Sequence, residues 1–157
     1  MTEAFDKIQA LIKSGEPPGT VWTEVLHLIL GQFQSETGTL HRLDPQTQLL
    51  HLVAQAGLPP HLLEIVRTIP VGKGIAGQAA AQNRPVTICN LQSDTSGVAR
   101  PGAKQTGVGG ARCVPVHDTG QLVGTLGIGT RREHEYTPEE TAALEKIGRL
   151  LAAALVS

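Results

Sequence analysis

The chain predicts an α+β fold in which hairpin-paired strands build one antiparallel sheet and the longer helices lie toward the two ends. Three observations carry this. Apolar residues recur at helical spacing near both termini, as Trp22, Val25, Leu26, Ile29 and Phe33 and again as Leu144, Ile147, Leu150, Leu151, Ala154 and Leu155. Between them, alternating stretches are joined by turn-forming tetrads, Asp44-Pro45-Gln46-Thr47 and His117-Asp118-Thr119-Gly120. Eighteen glycines and ten prolines suit short strands and tight connections better than a helix bundle.

A short first helix is expected over the segment carrying Phe5, Ile8, Leu11 and Ile12, ended by Gly15. The Gly15-to-Gly19 stretch reads as a linker, and the second helix starts at about Thr20. His27 falls off the apolar stripe and reads as solvated. Thr37 to Leu43 and Leu49 to Ala54 form the first strand pair, in which His41 and His51 could lie near one another. Two histidines without a third ligand are a poor metal site. A short helix, His61 to Arg67, follows the Gly57-Leu58-Pro59-Pro60 turn.

The stretch Thr68 to Thr87 organises the middle of the chain. Pro70 sets an extended approach, Gly72 and Gly74 permit turns closed to other residues, and Ile75 to Gln82 reads as a short helix stopped by Asn83. Arg84-Pro85 then forces an extended exit into a strand over Val86 to Cys89. Gly72, Gly74 and Gly77 match the G-x-G-x-x-G spacing of dinucleotide-binding turns. That fold alternates strands with crossover helices, whereas hairpins follow here, so the glycines are expected to serve the turn.

Asn90 to Gly110 is the least regular region. A loop of this length in a compact domain is typically functional or disordered, and Arg100 and Lys104 give it two positive charges that could meet an anionic ligand. The last strand pair, Ala111 to Val116 and Leu122 to Gly129, separates two faces. Val114, Val116, Leu126 and Ile128 should pack on helices. Ala111, Cys113, Thr125, Gly127 and Gly129 make the other face, whose small residues leave room for something else. Thr137-Pro138-Glu139-Glu140 is a capping box opening the last helix. That helix is apolar on more than one side, which suggests a dimer interface shared with the first two helices.

The whole chain bounds the functional classes. At 157 residues, 40% hydrophobic and 17% charged, one domain over 1–157 is expected, with 1–19 a helix and linker and 20–157 the core. A net charge of -1 leaves no basic field for nucleic acid. No apolar run is long enough for a bilayer, so no membrane association is expected and a cytoplasmic location is. Cys89 and Cys113 make neither a disulfide framework nor a C-x-x-C metal site.

Taken together, Ile69 to Val86 (IPVGKGIAGQAAAQNRPV), Cys113 to Val116 (CVPV), Leu122 to Gly129 (LVGTLGIG) and Tyr136 to Glu140 (YTPEE) resemble a GAF domain from about Val21 onward. The resemblance implies an α/β (α+β) fold with about five or six antiparallel strands. Its N- and C-terminal helices would lie on one face of the sheet, with a small-molecule pocket on the other beneath the short helix and long loop. On the motif that cyclic-nucleotide-binding members carry, this chain has Thr130, Arg131, Tyr136, Glu140 and Thr141, so the Asn and the terminal Glu are absent. Against the free methionine-(R)-sulfoxide reductases, Ala76 stands at one cysteine position, the loop supplies no cysteine between Asn90 and Gly110, and Gly127 and Gly129 replace the paired aspartates. Bilin attachment lacks its loop cysteine as well.

The resemblance therefore implies a sensory or regulatory domain rather than an enzyme. It would bind a small molecule that the sequence does not name, with no cofactor specified. The candidate pocket residues are Thr39, His41, Cys113, Thr125 and Gly127 on the sheet, with Arg100 and Lys104 above. The terminal helices would form a homodimer and act on a signalling output domain or partner. Two other readings stand beside it: a thiol oxidoreductase of the sulfoxide-reductase kind using Cys89 or Cys113, and a ligand-free dimerisation scaffold.

Overall fold

The computed structural model describes residues 2–14, 18–88 and 109–156. Helices α1 (Thr2–Ile12) and α2 (Pro18–Phe33) open the chain. Strands β1 (Thr37–Asp44) and β2 (Leu49–Ala56) form the first hairpin. A 3-10 turn at Pro60–Leu62 leads into α3 (Leu63–Arg67), β3 (Thr68–Pro70), α4 (Gly74–Gln82) and β4 (Val86–Ile88). The second long hairpin is β5 (Ala111–Asp118) and β6 (Gln121–Gly129), and α5 (Pro138–Val156) closes the fold.

The strands make one six-stranded sheet in the order β3-β2-β1-β6-β5-β4, with every neighbouring pair antiparallel. The α+β class and terminal-helix layer expected from the sequence are both present. The sixth strand, β3, lies where the sequence indicated only an extended approach to Pro70; it is recognisable as a strand only through its pairing with Leu49–His51. Several boundaries also differ by a residue or two. The second helix begins at Pro18 rather than Thr20, and His117 and Asp118 belong to β5. The hairpin turn shrinks to Thr119 and Gly120, both at positive φ (50° and 84°), as a two-residue hairpin loop requires.

Helices α2 and α5 cover one face. Leu26, Ile29 and Phe33 of α2 and Leu144, Ile147, Leu151 and Leu155 of α5 are buried in one cluster with Leu40, Val114, Val116, Leu126 and Ile128 of the sheet. Each such side chain contributes about 1.5–3 kcal/mol by leaving water. Trp22 and Ile8 extend this cluster to α1. Tyr136 belongs to it as well, buried ahead of α5, and its hydroxyl lies 3.0 Å from Ser35 Oγ.

On the opposite face, α4 packs against β3, β4, β5 and β6. The motif glycines belong to the turn that places it. Gly72 and Gly74 have φ of 95° and 68°, the Gly72 N–H donates to Gly77 O at 2.8 Å, and a Cβ on Gly77 would sit 2.5 Å from Pro70 O. Among the described residues the sheet is wholly antiparallel, and no crossover unit of the dinucleotide-binding kind surrounds them. Asn83 ends α4 in the left-handed conformation (φ 56°, ψ 38°), as its position predicts.

Candidate functional site

Cross-strand register assembles the predicted floor of the site. Thr39 is opposite Gly127, and Gly127 is opposite Cys113; one step along, His41 is opposite Thr125. Directly opposed residues point to the same side of a sheet, so Thr39, His41, Cys113, Thr125 and Gly127 share the face turned away from α2 and α5. Arg100 and Lys104 lie outside the described residues, as does Cys89, and so does the expected long loop over this face apart from Gly109 and Gly110.

One end of that face is filled. Leu50, Ile69 and Ala80 form a buried cluster with Leu43, Val66, Val71, Ala76 and Leu122 beneath α4. The polar residues lie beside it. A Cβ at Gly127 would be 3.2 Å from Thr39 Oγ1 and 3.6 Å from Cys113 Sγ, so the glycine keeps the floor shallow between two polar neighbours.

His41 and Thr125 are each only 1% exposed. His41 Nε2 lies 2.8 Å from the Val66 carbonyl on α3. Burial holds the imidazole pKa below its ordinary value, against the opposing effect of the Val66 hydrogen bond and with a smaller contribution from His51. The ring is therefore neutral. Its Nδ1 and the Thr125 hydroxyl are buried without hydrogen-bond partners among the described residues. Burial pushes the Cys113 thiol up to about 12, and the adjacent Thr125 side chain offsets this only in part. A thiol so held is protonated at neutral pH and a poor nucleophile.

The pairing of His41 with His51 is not formed. The register places His41 against Leu52 and Arg42 against His51, with an irregularity between Leu40 and His41, so the two imidazoles fall on opposite sides of the hairpin. Among the described residues no group of three or more His, Cys, Asp and Glu could hold a metal. The contact of His41 with Val66 has no sequence signal, since it joins a strand to a short helix 25 residues away.

A second feature connects this region to α5. Gly109 N–H donates to Thr130 O, Gly110 N–H to Arg132 O at 3.1 Å, and Thr130 N–H back to Gly110 O at 2.8 Å. The backbone just before β5 is thereby stitched to the segment leading into α5. The capping box forms as the sequence predicts, with Thr137 N–H donating to Glu140 Oε1 at 2.9 Å and Glu140 N–H to Thr137 Oγ1 at 3.1 Å. Glu140 Oε1 also lies 3.4 Å from His134 Nε2, and the His134 ring meets Tyr136 edge-on at 4.5 Å. Glu140 thus takes its expected capping role, while Tyr136, buried beside Ser35, holds the segment ahead of the helix.

A central antiparallel sheet, backed by terminal helices on one face and carrying on the other an apolar cluster beneath a short glycine-set helix with buried polar residues beside it, defines an α+β domain of a recurrent kind. The GAF domain family model matches residues 17–156, and the chain belongs to that family. Among solved structures, the GAF domain of a phosphoenolpyruvate-protein phosphotransferase from Coxiella burnetii superposes with a TM-score of 0.82 at 18% identity, covering 99% of this chain and 92% of that one. The free methionine-R-sulfoxide reductase from Neisseria meningitidis, in complex with its substrate, gives 0.80 at 15% identity over 99% and 87%. The A. aeolicus nlh2 GAF domain in an inactive state gives 0.75 at 17% over 97% and 93%. At these identities the likeness is one of fold. No curated protein matches the chain. Among the described residues no helix is long and apolar enough to cross a membrane.

Proposed function

We propose that this chain is a regulatory domain that binds a small molecule on the sheet face opposite its terminal helices and passes the bound state to α5 and a homodimer partner. The observation that carries the reading is a pair of polar atoms, His41 Nδ1 and Thr125 Oγ1, buried without hydrogen-bond partners among the described residues. Buried polar groups are nearly always hydrogen-bonded, and leaving one unpaired costs about 1–3 kcal/mol. A ligand that pairs with them recovers that energy only when bound. The stitching of Gly109 and Gly110 to Thr130 and Arg132 offers a short route from the region before β5 to the first turn of α5.

Binding rather than catalysis is the favoured role. The Cys113 thiol is protonated, and Ala76, Gly127 and Gly129 stand where the reductases would need a cysteine and carboxylates. One observation favours the scaffold reading instead: the Leu50, Ile69 and Ala80 cluster already fills part of the face. Native mass spectrometry of the purified protein, before and after mild denaturation, separates the two. A defined extra mass that leaves on denaturation is the expected result. An empty protein that also gains no mass from a metabolite extract would sink the ligand-binding reading in favour of the scaffold.

A further inference from the structure

A neutral imidazole carries one hydrogen on its two nitrogens, and the surroundings of His41 decide which. Nε2 lies 2.8 Å from the Val66 carbonyl oxygen. A carbonyl only accepts, so Nε2 bears the hydrogen and Nδ1 presents a bare lone pair. Among the described residues that lone pair is buried without a partner, and the Thr125 hydroxyl, on the directly opposed residue of β6, is buried without one too. Nδ1 can only accept, whereas the hydroxyl can donate or accept.

Resting on the reading that this face binds a small molecule, we propose that its ligand presents an N–H or O–H donor to His41 Nδ1 and a carbonyl-type acceptor to Thr125, as an uncharged amide or lactam does. An ionised carboxylate oxygen or an unprotonated phosphate oxygen is excluded from the His41 position. Two lone pairs would face each other there in a region of low dielectric, where repulsion is poorly screened. Escape is closed in two ways. Flipping the ring breaks the bond to Val66, and adding a second proton places a cation in a site that disfavours it. The acceptor set is thus built by a strand residue and a helix carbonyl together.

Acetamide and acetate have nearly the same shape and differ in the donor, which makes them suitable probes. Each is titrated into the isotope-labelled full chain, with the His41 ring nitrogens followed by long-range proton–nitrogen NMR. Acetamide should shift the Nδ1 resonance saturably, with a Kd at least about tenfold below that of acetate, because a site built around one buried acceptor discriminates against a ligand lacking the donor. In His41→Gln, which can keep a donor for Val66, that preference should disappear. The wild-type comparison decides the matter even if the variant does not fold. Acetate binding at His41 as tightly as acetamide, or no Nδ1 response to either probe, overturns the proposal. The small-molecule reading is judged separately, by the native mass measurement, and survives an acetate preference.

Discussion

Thr125 offers a test of the proposed ligand site at a single atom. Its hydroxyl is buried without a hydrogen-bond partner among the described residues, directly across the sheet from His41. Thr125→Val keeps the shape and removes the polar atom, so the ligand-free protein should gain about 1 kcal/mol in urea unfolding while losing affinity for the bound molecule. A loss of stability of that size would mean the hydroxyl is paired in solution. Cys113 supplies a second test, on pH. In the unfolded chain its thiol ionises from the ordinary value of 9.0, but in the folded chain not until about 12. The stability this confers is complete below pH 9 and is lost as pH rises toward 12, at about 1.4 kcal/mol per pH unit. Tyr136 is shifted upward as well and acts in the same direction, so the useful quantity is the difference between wild type and Cys113→Ala. Urea unfolding at pH 8 and pH 10 should show a shallower alkaline decline in the variant; identical declines would show that the thiol does not carry the shift.

At the scale of elements, the junction between the pre-β5 backbone and α5 is the part whose disturbance should travel. A Cβ on Gly110 would lie 2.5 Å from His134 O and 2.9 Å from Thr130 Oγ1, with backbone on one side and a buried threonine on the other. Gly110→Ala should cost about 1–3 kcal/mol as an overpacked site, and hydrogen exchange should quicken at the first-turn amides of α5. Gly19, where an added Cβ meets nothing within 4 Å on an exposed helical position, is the control. Gly19→Ala should be neutral or stabilising by up to about 1 kcal/mol. Faster exchange spread evenly through the domain, rather than concentrated in α5, would argue that Gly110 is merely a packing position.

For the whole molecule, the proposed homodimer makes a specific demand on the outer helices. Between α1 and α2 lies a groove of about 690 Å³ lined by Lys7, Ala10, Leu11, Ser14, Glu24, His27 and Leu28, in which Leu11 and Leu28 are only half-buried. A second copy seated across these helices would cover them. Sedimentation equilibrium is expected to give twice 16.5 kDa. Leu28→Glu should return a monomer with an unchanged circular dichroism spectrum, because Leu28 is not part of the fully buried core. A wild-type monomer at high concentration would remove the dimer from the proposal.

The sequence by itself determined the helices, the two hairpins and the separation of faces. Each rests on local chemistry that repeats or is sharply marked: helical spacing in α2 and α5, the Thr137–Glu140 capping box, Asn83 in the left-handed conformation, and alternation through Val114, Val116, Leu126 and Ile128. Alternation also grouped Thr125 with Gly127 on one side of their strand and Cys113 with Ala111 on one side of theirs, because the side-chain period of a strand is two; that Thr39 and His41 share this face follows from the cross-strand register. What only the tertiary structure decided is how those residues stand chemically. Register, with its irregularity at His41, separated His41 from His51, and three residues at Thr68–Pro70 became a strand by pairing with β2. The Val66 carbonyl, 25 residues from His41, set which imidazole nitrogen is left to accept. These are long-range choices: they depend on which distant groups the fold brings within about 3 Å, and local sequence carries no record of that distance.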